Sequence, residues 1–250
     1  MPLPPPWSPH ARSRRAPRRR SPLRRLRLMV WAAVFAALGL TIVPILALRV
    51  LPPPISAFMV HQLVRNVAAG ERVWPEYRWV PAERISPHLA LAVVAAEDQR
   101  FPSHFGLDLK AIRQALDHNA RGGRVRGAST ITQQTAKNLF LWRGRDWLRK
   151  GVEAWLAVWM ELLLPKARIL ELYLNLAQFG DHLYGAEAAS QRYFGVSAAR
   201  LNPAQAALLA AVLPNPVRYR VDAPSSSVRQ RQLWILRQMR QLGPDYLAAL

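Results

Sequence analysis

The chain has 250 residues, no cysteine, 35 Lys+Arg against 15 Asp+Glu, and a formal charge of +20. The absence of thiols excludes a disulfide framework, a thiolate zinc site and a cysteine nucleophile. With 51% apolar and only 20% charged residues the chain is not a disordered polycation, and its length suits one ordinary domain with an attachment.

Residues 1–27 hold nine arginines, and no acid occurs before Glu71. Residues 28–48 read LMVWAAVFAALGLTIVPILAL, 21 positions without a charge. As a helix this run spans ~30 Å, the thickness of a bilayer core, and a late proline such as Pro44 is tolerated in such a span. Positive charge stays on the cytoplasmic side, so the tail is expected inside and the body outside the cytoplasm. A cleaved signal would have only about 7–15 apolar residues before a small-x-small site. This run is longer and ends in ALRVLPPP, which favours a retained anchor. The arginine tail abuts the span, so it reads as a topology signal touching anionic lipid, and no nucleic-acid partner is expected. The expected organisation is 1–27 cytoplasmic tail, 28–48 transmembrane helix and 49–250 body. Without the tail the body still carries +11, from 26 basic and 15 acidic residues.

Pro52, Pro53 and Pro54 form a stiff connector. Residues 55–86 read as an irregular strap with one short helix near 56–68. Helical patterns dominate from Pro87 on: 88–97, 108–119, 129–139, 147–163, 166–176 ended near Gly180, 184–193 stopping at Gly195, 203–213 behind an Asn202 cap, and 225–242 closed by Gly243-Pro244. Residues 121–127, RGGRVRG, read as a basic mobile loop. No period-two alternation is sustained. The body is expected to be all-α, with about eight helices.

Four segments place polar residues where a plain helical core would not. In EDQRFPSHFGLD, 97–108, Glu97 ends an almost wholly apolar helix, where desolvation raises a carboxyl pKa toward the range useful for proton transfer. Asp98 and His104 would brace the following loop. In GASTITQQTAKNLF, 127–140, helical spacing puts Thr130, Gln134 and Lys137 on one face, with Gln133 beside them and Ser129 as the cap. Hydroxyl, amide and ammonium together suit an oxygen-rich sugar or phosphate. In RKGVE, 149–153, Arg149, Lys150 and Glu153 are either a surface ion pair or a diphosphate clamp. In KARILELYLNLAQFG, 166–180, Tyr173 reads as core, and Glu171 with Asn175 reads as a structural i,i+4 pair.

These four runs, followed by LNPAQAALLAAVLPNPVRY at 201–219, resemble the family 51 glycosyltransferases, the peptidoglycan polymerases, and among them the monofunctional biosynthetic transglycosylases. The resemblance covers roughly residues 50–240 in the family's motif order. It implies an α-helical, lysozyme-like glycosyltransferase domain with a smaller membrane-facing jaw, preceded by one N-terminal transmembrane helix. It also implies polymerisation of lipid II into β-1,4-linked glycan with release of undecaprenyl diphosphate. Carried over by motif, Glu97 matches the catalytic base and Glu153 the second essential glutamate. Thr130, Gln134, Lys137, Arg149 and Lys150 match substrate and diphosphate binding. Asp98, Phe101, His104, Ser129, Gln133, Asn138, Glu171 and Asn175 support the motifs. Ala128 departs from the glycine common among relatives. The segment 121–127 corresponds to the mobile part of the jaw.

The resemblance further implies a Mg²⁺ or Mn²⁺ ion that Glu153 could hold, and no organic cofactor. The expected partners are lipid II, the growing lipid-linked chain, the membrane, and cell-wall synthesis or division proteins. The chain stops soon after the last motif, which leaves no room for a transpeptidase domain. The expected location is the bacterial inner membrane, single-pass, with the catalytic domain periplasmic. Two alternatives are a lysozyme-like lytic enzyme, which needs no diphosphate clamp, and a non-catalytic cell-wall scaffold, which needs no Glu97.

Overall fold

The computed structural model describes residues 22–122, 127–144, 146–248 and 250. The arginine tail up to residue 21 and positions 123–126 of the basic glycine-rich stretch lie outside the described residues. The chain divides into two compact units, Met1–Leu40 and Thr41–Leu250. Helix α1, Pro22–Ala47, contains Pro44 and begins before the expected span because the arginine-bearing turn is already helical. Its Leu23–Ala47 portion is the one helix among the described residues long and apolar enough to cross a membrane.

The second unit holds nine α-helices among the described residues beyond the end of α1. They are α2 Ala57–Ala68, α3 Pro87–Glu97, α4 Leu109–Ala120, α5 Ile131–Phe140, α6 Trp147–Leu163, α7 Lys166–Leu176, α8 Ala186–Phe194, α9 Pro203–Val212 and α10 Ser226–Leu242. Most N-termini carry a side-chain cap that relieves their unpaired N–H groups: Ser56, Ser86, Asp108, Thr130, Asp146, Asn202 and Ser225. Two helices are apolar all round. In α9 every residue from Ala206 to Val212 is buried, and in α3 so is every residue from Leu91 to Ala95. A helix without a polar face must be covered on all sides. Accordingly α9 packs against both α3 and α10, while α5 packs against α6 and α7. Glu97 is therefore the polar end of a core helix.

A small sheet accompanies the helices. It comprises β1 Glu76–Tyr77, β2 Gln178–Gly180 and β3 Leu183–Tyr184 in the order β1-β3-β2, with β1 parallel and β2 antiparallel to β3. Strands of two or three residues leave no alternation to read, so the sequence pattern passed over them. Helix α7 runs from Lys166 to Leu176 as expected, and 178–180 beyond it is a strand. One boundary is corrected. Helix α8 starts at Ala186, because Tyr184 is paired and Gly185 takes φ +84°. A Cβ at Gly185 would lie 2.5 Å from the Asn175 carbonyl oxygen, so no other residue fits there.

The strap 49–86 is fastened to α7 by polar side chains. The fully buried Asn175 amide accepts from Val80 N–H at 3.0 Å and donates to Val80 C=O at 2.9 Å. Glu171 accepts from Ala82 N–H and from Arg168. Arg168 in turn donates to the carbonyls of Leu48 and Leu51. The i,i+4 pair Glu171–Asn175 is thus a backbone clasp. Asn175→Ala leaves both polar groups of the buried Val80 peptide without partners. It should destabilise the folded body by about 2–4 kcal/mol, a melting-temperature drop of several degrees by scanning calorimetry in detergent. An unchanged transition would show that the clasp is dispensable.

Candidate active site

The site is assembled where α3 ends and α5 begins. Asp98, the C-cap of α3, is 8% exposed. Its carboxylate accepts the N–H of Ile131, the first residue of α5, at 3.0 Å and faces His104 Nε2 at 2.8 Å. Phe101, fully buried, packs edge-on against His104 and lies under the Lys166 ammonium at 4.4 Å. Arg100 pairs with Asp108, the cap of α4, at 2.7 Å. The loop 98–108 is therefore held rigidly between three helix ends.

Both oxygens of Glu97 are engaged, with the side chain 14% exposed. Gln134 Nε2 donates to Oε2 at 3.0 Å, and Arg231 of α10 donates to Oε1 at 3.2 Å. The Gln134 oxygen accepts from the Tyr173 hydroxyl at 3.2 Å. An ionised carboxylate can only accept, so it takes the Gln134 NH₂, which fixes the amide orientation and leaves the amide oxygen for the Tyr173 hydroxyl. Burial raises the Glu97 pKa above its ordinary value. The Gln134 hydrogen bond and the charges of Arg231 and Lys137 oppose this without cancelling it. Burial, then the charges of Glu97 and Asp98, hold the Tyr173 hydroxyl well above its ordinary value, so it remains a neutral donor.

Glu97 lies on the shared wall of two neighbouring cavities. One, about 510 Å³, is also lined by Gln99, Lys110 and Gln114; the other, about 1130 Å³, by Gln134, Arg218, Tyr219 and Arg231. Ser129 and Trp234 border both.

The second half of the site is the first turns of α6. Asp146 caps this helix through Arg149 N–H. Arg149 and Lys150 then converge on one buried carboxylate. Arg149 Nη1 is 2.7 Å from Glu153 Oε2, and Lys150 Nζ is 2.5 Å from Oε1. Two cations on one anion leave a net positive group, and Lys150 also donates to Ser129 on the cavity wall at 3.1 Å. Between the halves stands Lys137. Burial lowers its pKa most. Glu153 and Glu97 push it up, while Arg149 and Lys150 push it down. One ammonium therefore senses both glutamates.

Other residues singled out in the sequence fall elsewhere. Thr130, not Ser129, caps α5, in a reciprocal box with buried Gln133. Thr130 is 2% exposed and donates its hydroxyl to the Gly106 carbonyl, so it does not share an open polar face with Gln134 and Lys137. Taking 130 as a helical position put it on that face; as the cap it points its oxygen back at the helix start. Asn138 is half-buried on α5. Glu171 and Asn175 belong to the strap clasp. Arg231, Tyr173 and Trp234 were not singled out as site residues. Arg231 looks like any of the arginines of α10, and Tyr173 reads as core. Only proximity to Glu97 distinguishes them.

Among the described residues no three His, Cys, Asp or Glu side chains group to hold a metal ion. Both oxygens of Glu153 already face cations, so that carboxylate fits a metal poorly by itself.

The raised pKa of Glu97 also bears on stability. Its proton leaves the unfolded chain at lower pH than the folded one. Stability is therefore lost as pH rises through the window between those values, and ionised Glu97 stays unfavourable above it. Glu97→Gln removes that effect. Its melting temperature at neutral pH is expected to match or exceed that of the parent. A fall of several degrees would mean that the Glu97–Arg231 pair outweighs desolvation.

Comparison with known proteins gives the family. The family model described as Transglycosylase matches residues 63–240. The chain is 53% identical over 235 residues to the biosynthetic peptidoglycan transglycosylase of Xanthomonas oryzae pv. oryzae, covering 92% of this chain and 95% of the relative. It is 54% identical over 222 residues to the protein of that name from Cronobacter sakazakii, covering 88% and 92%. It is 51% identical over 234 residues to that of Xanthomonas campestris pv. campestris, covering 92% and 95%. The matched region contains Glu97, Gln134, Lys137, Glu153, Tyr173 and Arg231, and the chain belongs to the transglycosylase family.

Proposed function

We propose that the body is a peptidoglycan glycosyltransferase that polymerises lipid II, with Glu97 as general base. The observation that carries this reading is the position of Glu97 on the wall between two cavities, where two sugar-bearing substrates can meet at one carboxylate. A sugar hydroxyl is a weak nucleophile near neutral pH, and a positioned carboxylate that removes its proton accelerates attack by roughly 10²–10⁴. Burial makes Glu97 more basic than an exposed carboxylate. Gln134 and Arg231 hold it in place without protonating it.

The acceptor 4-hydroxyl gives its proton to Glu97 as its oxygen bonds to C1 of the donor sugar. The bond from C1 to the lipid diphosphate breaks, and the electron pair leaves with the diphosphate. One displacement converts the α linkage to β, so no glycosyl-enzyme is needed, unlike in a retaining glycosidase. Lys137, Arg149 and Lys150 stabilise the negative charge that grows on the leaving group. A hydrolase acting on glycosidic oxygen has no use for such a cluster.

If a Mg²⁺ or Mn²⁺ ion accompanies the substrate's diphosphate, Glu153 is the carboxylate of this cluster that would stand beside it. The ion would supply further charge neutralisation. The steps assigned to the protein side chains do not pass through it.

The protein is a single-pass inner-membrane protein with its catalytic body in the periplasm. Sharing a leaflet with lipid-linked substrates raises their effective concentration at the body. In this reading the growing lipid-linked glycan is the second substrate, and cell-wall synthesis or division proteins are further partners.

The direct test is purified protein with labelled lipid II. Polymer is expected from the parent, roughly 10²–10⁴-fold less from Glu97→Gln, and about 10²–10³-fold less from Lys137→Ala. Release of small soluble fragments from finished glycan would support a lytic enzyme instead. A second measurement uses pH. Because Glu97 must be ionised, kcat/KM should fall on the acid side at a pH above the ordinary carboxylate range. Arg231→Gln removes a charge that lowers the Glu97 pKa, so that limb should move to still higher pH. A limb that stays put would remove Arg231 from the electrostatics of the base.

A further inference from the structure

Lys137 is held differently from the other cations of the site. Arg149 and Lys150 share the Glu153 carboxylate. Among the described residues the Lys137 ammonium has neither an ion pair within 4 Å nor a side-chain hydrogen bond. It lies instead 5.6 Å from the centroid of the Phe58 ring. The Arg143 guanidinium stands over the same ring at 4.9 Å, and it also donates to Gln178 at 2.8 Å and to the Tyr184 hydroxyl at 3.3 Å. Phe58 is half-buried in α2, upstream of every motif in the sequence, on the helix that follows the proline connector. One aromatic ring from the strap therefore serves two cations next to the diphosphate cluster.

We propose that Phe58 is a positioning residue, whose ring holds the Lys137 ammonium charged and aimed while leaving that charge free for the anionic leaving group. The proposal rests on the diphosphate role assigned to Lys137. Its physical basis is the difference between two ways of stabilising a desolvated cation. A carboxylate partner neutralises the charge it holds, as Glu153 does. The face of a ring attracts the ammonium through its quadrupole and contributes no negative charge. Moreover, a ring offers no hydrogen bond for the ammonium to break when phosphate oxygens arrive. Burial alone would drive Lys137 toward the neutral amine, and the ring works against that trend. Arg143, fixed by Gln178 and Tyr184, stands over the same ring and adds its positive charge beside Lys137.

The test grades the π-density of residue 58 at nearly constant shape. Phenylalanine, 4-fluoro-, 3,5-difluoro- and 3,4,5-trifluorophenylalanine are placed at position 58 of the full-length protein, and lipid II polymerisation is measured with the melting temperature of each variant. Rates should fall stepwise with each fluorine, to about a tenth of the parent at three fluorines, with melting temperatures unchanged. Phe58→Tyr should keep most of the activity and Phe58→Leu should lose it about tenfold. A flat fluorination series at full activity overturns the proposal. So does a loss that tracks melting temperature alone, because that is a packing role. The parallel Lys137→Ala variant separates the two claims. If it polymerises like the parent, the diphosphate reading of Lys137 fails first. If it is inactive while the fluorinated series is flat, only the role of Phe58 fails.

Discussion

The geometry of the site depends on one buried carboxylate that does no chemistry. Asp98 binds the leading N–H of α5 and the His104 imidazole, and so joins the end of α3 to the start of α5. Glu97 precedes it by one residue, and Gln134 lies three residues after the Ile131 whose N–H Asp98 accepts. The 3.0 Å contact between Glu97 and Gln134 is therefore set by a bond one residue away in one stretch and three in the other. A buried anion is tolerated only when its oxygens are filled by donors. Here the donors come from two separate stretches, so the requirement is met only when both stretches are in place. Tyr173 completes the arrangement by donating to the Gln134 oxygen, the end of the amide that Glu97 does not use.

In the proposed reading the site separates a base from a clamp electrostatically, with Lys137 sensing both. Glu97 is desolvated and held by one neutral and one cationic donor, so it keeps a raised affinity for protons. Glu153, 2% exposed, is surrounded by cations and serves to gather them. The two glutamates thus differ in their surroundings: one sits beside an amide and an arginine, the other between an arginine and a lysine.

Much of this could be read in the sequence. Helix positions followed from caps and apolar runs, and the end of α3 at Glu97 followed from a carboxylate closing an apolar stretch. The relation of Arg149, Lys150 and Glu153 followed from helical spacing. What escaped detection did so for physical reasons. The strands are too short to show a period. Thr130 changed role because a cap and a first-turn residue differ by one position, and spacing alone does not locate the cap when Ser129 and Thr130 are adjacent. Arg231 touches Glu97 across 134 residues of sequence, and no local pattern marks it among the arginines of α10. Phe58 carries no polar signal in the sequence, since an aromatic next to an anchor has an obvious apolar role. Its cation contacts come from residues about 80 positions downstream.

The strap deserves to be counted as part of the catalytic body. Arg168 of α7 takes the carbonyls of Leu48 and Leu51, and the Tyr77 hydroxyl donates to the Pro53 carbonyl at 2.9 Å. Burial pushes the Tyr77 pKa up to about 12, so that donor persists across physiological pH. Pro53 is itself buried, and Ser56 caps α2 directly after the prolines. The carbonyls of Leu48, Leu51 and Pro53 are thus held by Arg168 of α7 and by Tyr77 further along the strap. A flexible tether would raise local concentration equally well, but it could not present a side chain to the active site. The hydrogen bonds from Arg168 and Tyr77 give the strap a defined path, and that path ends with the Phe58 ring against Lys137. Substitutions at Arg168 or Tyr77, remote from both cavities, should therefore act on the diphosphate end of the site through the placement of α2, while the Glu97 end, built on α3, α5 and α10, is left in place.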